Sequence, residues 1–285
     1  MTSQIFFITG VSAGFGAEIA IAALKAGHKA IGTVRDRKRA AEDVQRIEKA
    51  GGKILELDVT QAEACAKVWK EAEQIYGHID ILCNNAGMSY LGALEDFTDD
   101  EARAQMDVNL YGPLRLIRAA LPSFRTRKSG TIVNITSIAG VDGLPSWSLY
   151  AASKFGLEGM SESLAREVAE YNIQVLIVEP GAFRTNFLGA FVTNSKKTLD
   201  AYPVVKGTLD HFEEANGKQP GDPVKGAEAI VQVAAGTGKA GHLKGKVQRL
   251  PLGPDCYKRF EEKVKKLNHD WEVVREVALS TDVDE

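Results

Sequence analysis

The sequence lacks the features of secreted, membrane-spanning and nucleic-acid-binding proteins. It contains no apolar run close to the roughly 18 residues that a bilayer span needs. Its first apolar segment is not preceded by a basic leader, so no secretion signal is expected. The 35 basic and 38 acidic residues leave a formal net charge of −3 with no long tail of one sign, which does not favour nucleic-acid binding. We therefore expect a cytoplasmic globular protein.

Cysteine and histidine are also scarce. The three cysteines are too few and too far apart for a disulfide framework or a zinc knuckle, and the five histidines form no metal-binding motif. Cys83 lies in the apolar run IDILCN and is expected to be a small buried hydrophobic residue. Asn134 begins a glycosylation sequon but lies in a strand-like segment, so we expect it to be unmodified.

Short apolar runs alternate with amphipathic helical stretches along most of the chain. Seven runs are predicted to be strands: Gln4–Thr9, Lys29–Val34, Lys53–Leu57, Ile79–Cys83, Thr131–Thr136, Gln174–Val178 and Lys246–Leu250. Helices between successive strands are typical of an α/β protein whose parallel sheet is covered on both faces. We predict that residues 1–285 form one domain of this kind.

The alternation weakens in two segments of the last third. Residues 186–223, with Gly, Pro, Lys and scattered aromatics, are predicted to be a mobile substrate lid, and residues 254–285 a helical extension. The lid would have an apolar inner face, formed by Phe187, Leu188, Phe191 and Tyr202. Alternatively, these aromatics pack on a subunit partner or on the final helix near Trp271.

A glycine-rich loop, TGVSAGFG, joins the first predicted strand to a helical segment. Its glycines, Gly10, Gly14 and Gly16, would let the backbone approach a pyrophosphate at a helix N-terminus, with Ser12 and Phe15 in the same loop. The spacing is GxxxGxG, not the GxGxxG of the standard dinucleotide fingerprint, so an ordinary turn with packing glycines is the alternative. The order of strand, loop and helix favours nucleotide binding.

The residues after the second predicted strand bear on the choice of nucleotide. A carboxylate here would bind the ribose 2′-hydroxyl of NAD, whereas an arginine would bind the 2′-phosphate of NADP. Asp36 supports NAD because it lies about 20 residues after Gly16, although it is also a natural N-cap for the next helix. Arg35 and the run 37–39 are basic and oppose that helix dipole, so a compensating anion, and hence NADP, is favoured.

Further motifs follow in order along the chain: Asp58 and Val59 in DVT, Asn85, Ala86 and Gly87 in NNAG, Asn109 in VNLYG, Ser137, Tyr150 and Lys154 in YAASK, and Pro180, Gly181, Phe183 and Thr185 in PGAFRT. As an ordered set over residues 4–186, these motifs resemble the short-chain dehydrogenase/reductase family. The residues within and around the motifs resemble those of the group of hydroxysteroid- and retinol-dehydrogenase-like carbonyl reductases. Phe15, where isoleucine is more usual, and the segment after Asn186 depart from the family pattern.

The resemblance implies a Rossmann-type doubly wound fold with a seven-stranded parallel sheet flanked by helices, and a bound nicotinamide cofactor. Arg35 would bind the 2′-phosphate, Asp58 the adenine edge, and the NNAG residues the central ribose. Phe183 and Thr185 would meet the carboxamide and phosphate, unless Phe183 only packs. Family members are commonly dimers or tetramers, so a homodimer or homotetramer is expected.

The resemblance also implies the catalytic residues. Tyr150 would be the proton donor, and Lys154, one helical turn away, would lower its pKa from a value near 10 and hold the nicotinamide ribose. Ser137 would hydrogen-bond the substrate oxygen, and Asn109 would position Lys154 through a water chain. The predicted function is NADPH-dependent reduction of an apolar ketone or aldehyde, or oxidation of the alcohol. The alternatives are an epimerase or dehydratase on this scaffold, and a redox sensor that binds NADP(H) without turnover.

Overall fold

A computed structural model describes residues 2–193 and 198–283. Seven parallel strands form one sheet in the order β3-β2-β1-β4-β5-β6-β7. Their bounds are β1 Ile5–Thr9, β2 Lys29–Val34, β3 Lys53–Glu56, β4 Ile81–Asn84, β5 Gly130–Ile135, β6 Ile173–Pro180 and β7 Arg249–Leu252. All seven predicted strands are present, with ends displaced by at most three residues.

The largest displacement is at β7, which was predicted to span Lys246–Leu250 and begins three residues later, at Arg249. The strand continues through Pro251 to Leu252. A proline cannot donate a ladder hydrogen bond, but β7 is the outer strand of the sheet, where proline is tolerated. The pattern of residue types could not show that this strand lies at an edge.

Ten α-helices accompany the sheet in the described part of the chain. They are α1 Gly14–Lys25, α2 Ala41–Lys49, α3 Ala62–Tyr76, α4 Asp99–Met106, α5 Gly112–Arg127, α6 Ser148–Glu167, α7 Pro203–Ala215, α8 Pro223–Ala235, α9 Pro254–Val273 and α10 Arg275–Leu279. Residues Asp107–Tyr111 form a wider π-helical turn between α4 and α5. Helices α1, α2 and α8 lie on one face of the sheet, and α3, α5 and α6 on the other.

Both faces of the sheet are buried under helices. Phe6 and Phe7 are neighbours in β1, and their side chains lie on opposite faces in two separate apolar clusters. Phe7 packs edge-on against Trp69 of α3, with ring centroids 5.4 Å apart. A strand buried on both faces reads as a continuous apolar run, which is why IFFIT does not alternate.

The strand order reverses between β1 and β4. The chain runs from β1 outward to β3, then crosses to β4 on the other side of β1. In open parallel sheets, ligands bind at such a switch point, beyond the carboxyl ends of the strands. The loops that follow β1 and β4 carry the glycine loop and the NNAG motif, so the topology brings these two motifs together.

The buried positions agree with two smaller expectations. Cys65, Cys83 and Cys256 are all buried with free thiols. Asn134 is fully buried, and its amide nitrogen donates to the Ser161 hydroxyl at 2.8 Å, so it is not an accessible glycosylation acceptor. None of the helices in the two described ranges has the length and apolar character that a membrane crossing requires.

The predicted lid and extension have defined secondary structure where the structure describes them. Val192–Thr193 pairs in parallel with Tyr90–Leu91, and α7 follows. Residues 194–197 of the predicted lid lie outside the described residues. Helices α9 and α10 span most of the predicted extension.

Candidate active site

A cavity of about 1170 Å³ lies beyond the carboxyl ends of the strands. Its walls contain all but two of the residues predicted to be catalytic or to bind the cofactor, namely Gly10, Ser12, Gly14, Phe15, Arg35, Asp58, Val59, Asn85, Ala86, Gly87, Ser137, Tyr150, Lys154, Pro180, Gly181, Phe183 and Thr185. The exceptions are Gly16 and Asn109, which lie behind the wall. One cavity therefore unites motifs spread over most of the chain.

The glycine loop turns tightly over the end of β1. Gly10 has a φ of +69°, and a Cβ there would lie 2.8 Å from the Ala86 Cα. Gly16 is not among the residues that line the cavity: a Cβ there would lie 2.2 Å from the Gly10 carbonyl oxygen and 2.5 Å from the Asn85 Nδ2. Gly16 therefore lets α1 approach the loop closely, and leaves the N-terminus of α1 facing the cavity.

Thr9 connects the glycine loop to the NNAG segment and was missed by the sequence analysis. Its hydroxyl oxygen accepts hydrogen bonds from the backbone N–H groups of Asn85 and Ala86, each at 3.0 Å. In return, the Asn85 side-chain amide donates to the carbonyls of Thr9 and Gly10 at 2.9 and 3.0 Å. This reciprocal set fixes the two loops relative to each other. A hydroxyl residue at the end of a strand, directly before a glycine loop, was the available signal.

In the basic segment after β2, two arginines differ in whether they have an ion-pair partner among the described residues. Arg37 donates to the Ile54 carbonyl and forms an ion pair with Glu48 at 2.7 Å. Arg35 lines the cavity and forms no ion pair with any residue in the described ranges. The guanidinium of Arg35 is therefore available to an anion in the cavity.

The expectation that Asp36 caps the next helix was wrong. Helix α2 begins five residues later, at Ala41, and the Asp36 carboxylate instead accepts the N–H groups of Lys38 and Arg39 in the intervening turn, at 2.8 and 3.1 Å. The basic run is thus in a turn rather than against a helix N-terminus, which removes the dipole argument for a bound anion. Asp36 is not among the residues that line the cavity.

Tyr150 and Lys154 lie on one face of α6, and both are buried. The Lys154 Nζ is 5.7 Å from the centre of the Tyr150 ring and donates to the Ile135 carbonyl at 2.9 Å. Ser137, two residues after the end of β5, is buried beside them, and its hydroxyl accepts the N–H of Ala139 at 3.1 Å. A phenol, an ammonium and a hydroxyl therefore meet at the cavity wall.

Burial dominates the acid–base properties of this group. It raises the pKa of Tyr150 to about 12, while hydrogen bonding with Ser137 acts in the opposite direction. It also lowers the pKa of Lys154 to about 8. In the protein alone the pKa of Tyr150 therefore lies above its ordinary value of 10, because burial penalises the phenolate. The lowering of this pKa by Lys154 stays a prediction.

Asn109 lies in the π-helical turn, is fully buried and does not line the cavity. Its side chain accepts the Met88 N–H and donates to the Met88 carbonyl, both at 2.9 Å. It also donates to the Ser153 hydroxyl at 3.0 Å, and Ser153 donates to the Tyr150 carbonyl at 2.7 Å. Asn109 thus links the segment after NNAG to the helix that carries Tyr150. Asn109 forms no hydrogen bond with Lys154 within the described residues, so a water-mediated link stays a prediction.

The loop after β6 is fixed from two sides. The Phe183 ring packs edge-on against Phe15 with centroids 4.8 Å apart, which accounts for the large residue at position 15 and supports the packing alternative for Phe183. Asp255, in the first turn of α9, accepts the Ala182 N–H at 2.8 Å. Sequence reasoning missed Asp255 because it is more than 70 residues away from the loop it holds.

The outer half of the cavity is mainly apolar and aromatic. The Tyr150 ring lies 5.3 Å from Trp147 and 5.6 Å from Phe187, measured between centroids. Phe212 of α7 packs on Trp147 at 5.2 Å. The predicted lid residues Phe187, Leu188 and Phe191 line the cavity. Tyr202 does not line it and is 41% exposed, so its predicted place in the lid's inner face was wrong.

The alternative packing of these aromatics on the last helix is not seen, since Trp271 is 73% exposed.

A family model described as short chain dehydrogenase matches residues 4–196. This chain belongs to the short-chain dehydrogenase family. It is accordingly an oxidoreductase of a family that uses nicotinamide cofactors.

Three known relatives are similar to this chain in sequence, and two of them are also similar in fold. A short-chain dehydrogenase from Streptomyces avermitilis is 37% identical, with a TM-score of 0.86 over 99% of this chain and 100% of its own. Human retinol dehydrogenase 8 is 33% identical over 249 residues, 81% of this chain and 77% of its own. A metagenomic short-chain oxidoreductase solved in complex with NADP is 33% identical, with a TM-score of 0.59 over 65% of this chain and 85% of its own.

Proposed function

We propose that the protein is an NADPH-dependent carbonyl reductase, or the reverse alcohol dehydrogenase, acting on an apolar ketone, aldehyde or secondary alcohol. The observation that carries the proposal is the meeting of Tyr150, Lys154 and Ser137 at the wall of one cavity that also contains the glycine loop and Arg35. A proton donor and an anion-binding loop are the two parts that nicotinamide-dependent reduction of a carbonyl requires.

The residues present fit a dinucleotide phosphate. The positive φ of Gly10 and the close approach of α1 leave backbone N–H groups at a helix N-terminus facing the cavity, which suits a pyrophosphate. Asn85, Ala86 and Gly87 follow at the next strand end, and Asp58 lies on the outer wall. These are the residues that would hold the cofactor.

The preference for NADPH rests on Arg35 and Asp36. Arg35 is an arginine on the cavity wall without a carboxylate partner in the described residues, while the Asp36 carboxylate is engaged by backbone N–H groups of its own turn. The 2′-phosphate of NADPH would supply the missing anion. The relative in complex with NADP is consistent with this assignment.

When bound, the reduced nicotinamide supplies the hydride that a carbonyl carbon accepts. Tyr150 donates the phenolic proton to the carbonyl oxygen, and Ser137 donates a hydrogen bond to the same oxygen. Lys154 provides positive charge next to the phenolate that remains, and its ammonium would donate to the nicotinamide ribose. Asn109 acts as a positioning residue, because it holds α6 through Ser153 without reaching the cavity.

The apolar lining of the outer cavity supports an apolar substrate. Trp147, Phe187, Leu188, Phe191 and Phe212 surround the space next to Tyr150 and offer few fixed polar groups. Such a lining gains free energy from apolar area removed from water, roughly 25 cal/mol per Å². A bulky, weakly polar carbonyl compound therefore fits better than a sugar or a nucleotide substrate.

The test is a screen of apolar ketones, aldehydes and secondary alcohols, following NADPH or NADP⁺ absorbance. We expect substrate-dependent oxidation of NADPH, with NADH a poor substitute. Tyr150→Phe should lower kcat by at least about 100-fold while NADPH affinity changes little, because a general acid contributes a factor of 10²–10⁴. Tyr111→Phe is the matched control, since Tyr111 is 46% exposed and outside the cavity. Near-normal turnover in Tyr150→Phe would refute the mechanism, and tight NADPH binding without turnover of any compound would favour a sensor.

A further inference from the structure

The C-terminal helix leaves the body of the protein and continues into solvent. Its first turns are held by buried Cys256 and by the ion pair of Arg259 with Asp142 at 2.7 Å. Every described residue from 264 to 283 is exposed, although the chain is helical to Leu279 with a single irregular residue at Val274. In proteins most helical stability comes from packing of an apolar face rather than from propensity, so a partner that covers one face would stabilise this helix.

One stripe of this helix is apolar with a strict heptad period. Its members are separated by alternate steps of three and four residues: Tyr257, Phe260, Val264, Leu267, Trp271, Val274 and Ala278. Leu267, Trp271 and Val274 are 53, 73 and 49% exposed. A sustained repeat of 3.5 residues in a narrow stripe is the pattern of a helix that packs against another helix along its length.

The charge of the helix reverses along its length. Residues 258–266 contain five basic and two acidic residues, whereas 267–283 contain one basic and four acidic residues. Two copies of such a helix attract each other only when they run in opposite directions. The helix therefore complements a second copy of itself.

We propose that two copies of this chain associate through an antiparallel coiled coil of their C-terminal helices. In the register that pairs the stripe from Phe260 to Ala278, Leu267 packs against Trp271 of the second copy, and Val264 against Val274 of the second copy. Glu261 then lies opposite Arg275 of the second copy, and each contact occurs twice, as a two-fold interface requires. The proposal concerns assembly and is independent of the proposed function.

The same observations argue against a membrane surface as the partner that covers the apolar stripe. Helices that lie in the membrane interface have a wide apolar face and a polar face rich in Lys and Arg. Here the exposed outer half carries four acidic residues and one basic residue, which an anionic lipid surface would repel. Binding to neutral phosphatidylcholine vesicles is retained below as an outcome that would contradict the proposal.

The first test measures the assembly of the full-length chain by sedimentation equilibrium. We expect dimerisation, and Leu267→Glu with Trp271→Glu should raise the dissociation constant at least about 100-fold, because both residues are central anchors of the seam. Val273→Glu is the matched control: Val273 is 68% exposed on the same helix but outside the stripe, and should have little effect. If other surfaces also join copies of the chain into a larger assembly, the assembly of the double variant should have half the mass of the wild-type assembly. The proposal would be overturned if the wild type and the double variant had identical masses. It would also be overturned if the wild type bound the vesicles without dimerising and the double variant lost this vesicle binding.

The second test determines direction and register. Asn268 lies beside Asn268 of the second copy in the antiparallel register, so Asn268→Cys should form an intermolecular disulfide under mild oxidation. Lys266→Cys, on the outer face, should not, and the three native cysteines are buried and will not interfere. Glu261→Arg should weaken the dimer, and Glu261→Arg with Arg275→Glu should restore it. Equal cross-linking at both positions, or no restoration by the double exchange, would refute the antiparallel pairing.

Discussion

Glu179 offers a sensitive test of the buried electrostatics behind the active site. It lies near the end of β6, just before the cavity-lining Pro180, and has no exposed surface. One carboxylate oxygen accepts from the Arg249 guanidinium at 2.7 Å, but the same guanidinium is shared with Glu158 and Glu162. The other oxygen has no hydrogen-bond partner in the described part of the chain. Burial therefore outweighs the shared ion pair and raises the pKa of Glu179 to about 8.

This pKa makes stability depend on pH with a definite sign. In the unfolded chain the pKa returns to about 4.5, so between these values the folded state binds more protons than the unfolded state. The contribution of Glu179 to stability is then fully present below about pH 4.5 and is lost as the pH rises to about 8. A pKa difference of this size corresponds to about 5 kcal/mol in the free energy of unfolding. About 4 kcal/mol of this is lost between pH 5 and pH 9.

Replacing Glu179 with Gln should remove that dependence, because a neutral amide of the same shape has no charge to bury. We expect Glu179→Gln to be about as stable as wild type at pH 5 and about 3–5 kcal/mol more stable at pH 9, measured by urea unfolding at both pH values. Glu162→Gln is the matched control: it contacts the same guanidinium but is 47% exposed, and should change stability by less than about 1 kcal/mol. Parallel pH curves for wild type and Glu179→Gln would show that Arg249 keeps Glu179 ionised and would refute the reasoning.

Three further predictions concern the cavity. Arg35→Ser should weaken NADPH binding about 10–100-fold and NADH binding little, measured by fluorescence titration, with Arg39→Ser, 90% exposed, as control. Equal losses for both nucleotides would contradict a 2′-phosphate contact. Gly16→Ala should destabilise the fold by about 1–3 kcal/mol in urea unfolding and weaken NADPH binding, because the added Cβ would lie 2.2 Å from a backbone oxygen. Gly159→Ala is the control and should be tolerated, because the added Cβ would meet no atom within 4 Å. Amide hydrogen exchange in residues 187–193 and 198–215 should slow more with NADPH and a productive ligand than with NADPH alone. Slow exchange without ligand would mark the segment as fixed structure.

The parts of the fold that the sequence predicted correctly depend on local patterns. Seven strands could be located because apolar runs such as IFFIT are bounded by loop residues, and the alternation with helices indicated a parallel sheet. The end of β7 could not be predicted from local pattern, because the tolerance of Pro251 depends on the strand being at the sheet edge. Asp36 was misassigned for a similar reason, since its residue type predicts a capping role without showing which N–H groups it caps.

The residues missed at the site act over long sequence separations. Thr9 supports Asn85, and Asp255 holds Ala182, through contacts that no local spacing indicates. Gly16 and Asn109 lie behind the cavity wall, which their motifs could not show, because a motif indicates which residues belong together and not which of them face the cavity. Burial and hydrogen-bond partners, which only the folded chain shows, separated the cavity wall from the layer that supports it.

The ionisation of the Tyr150 group has a consequence for the proposed direction of reaction. A phenol with a pKa of about 12 is protonated at neutral pH, which is the state that a proton donor to a carbonyl needs. Oxidation of an alcohol needs the phenolate, and burial disfavours this charge unless more positive charge is added nearby. Lys154 has a pKa lowered to about 8 and still carries its proton for most of the time at pH 7. Burial of Tyr150 therefore favours the protonated form that reduction uses, and the positive charge of an oxidised nicotinamide beside Tyr150 would favour the phenolate that oxidation uses.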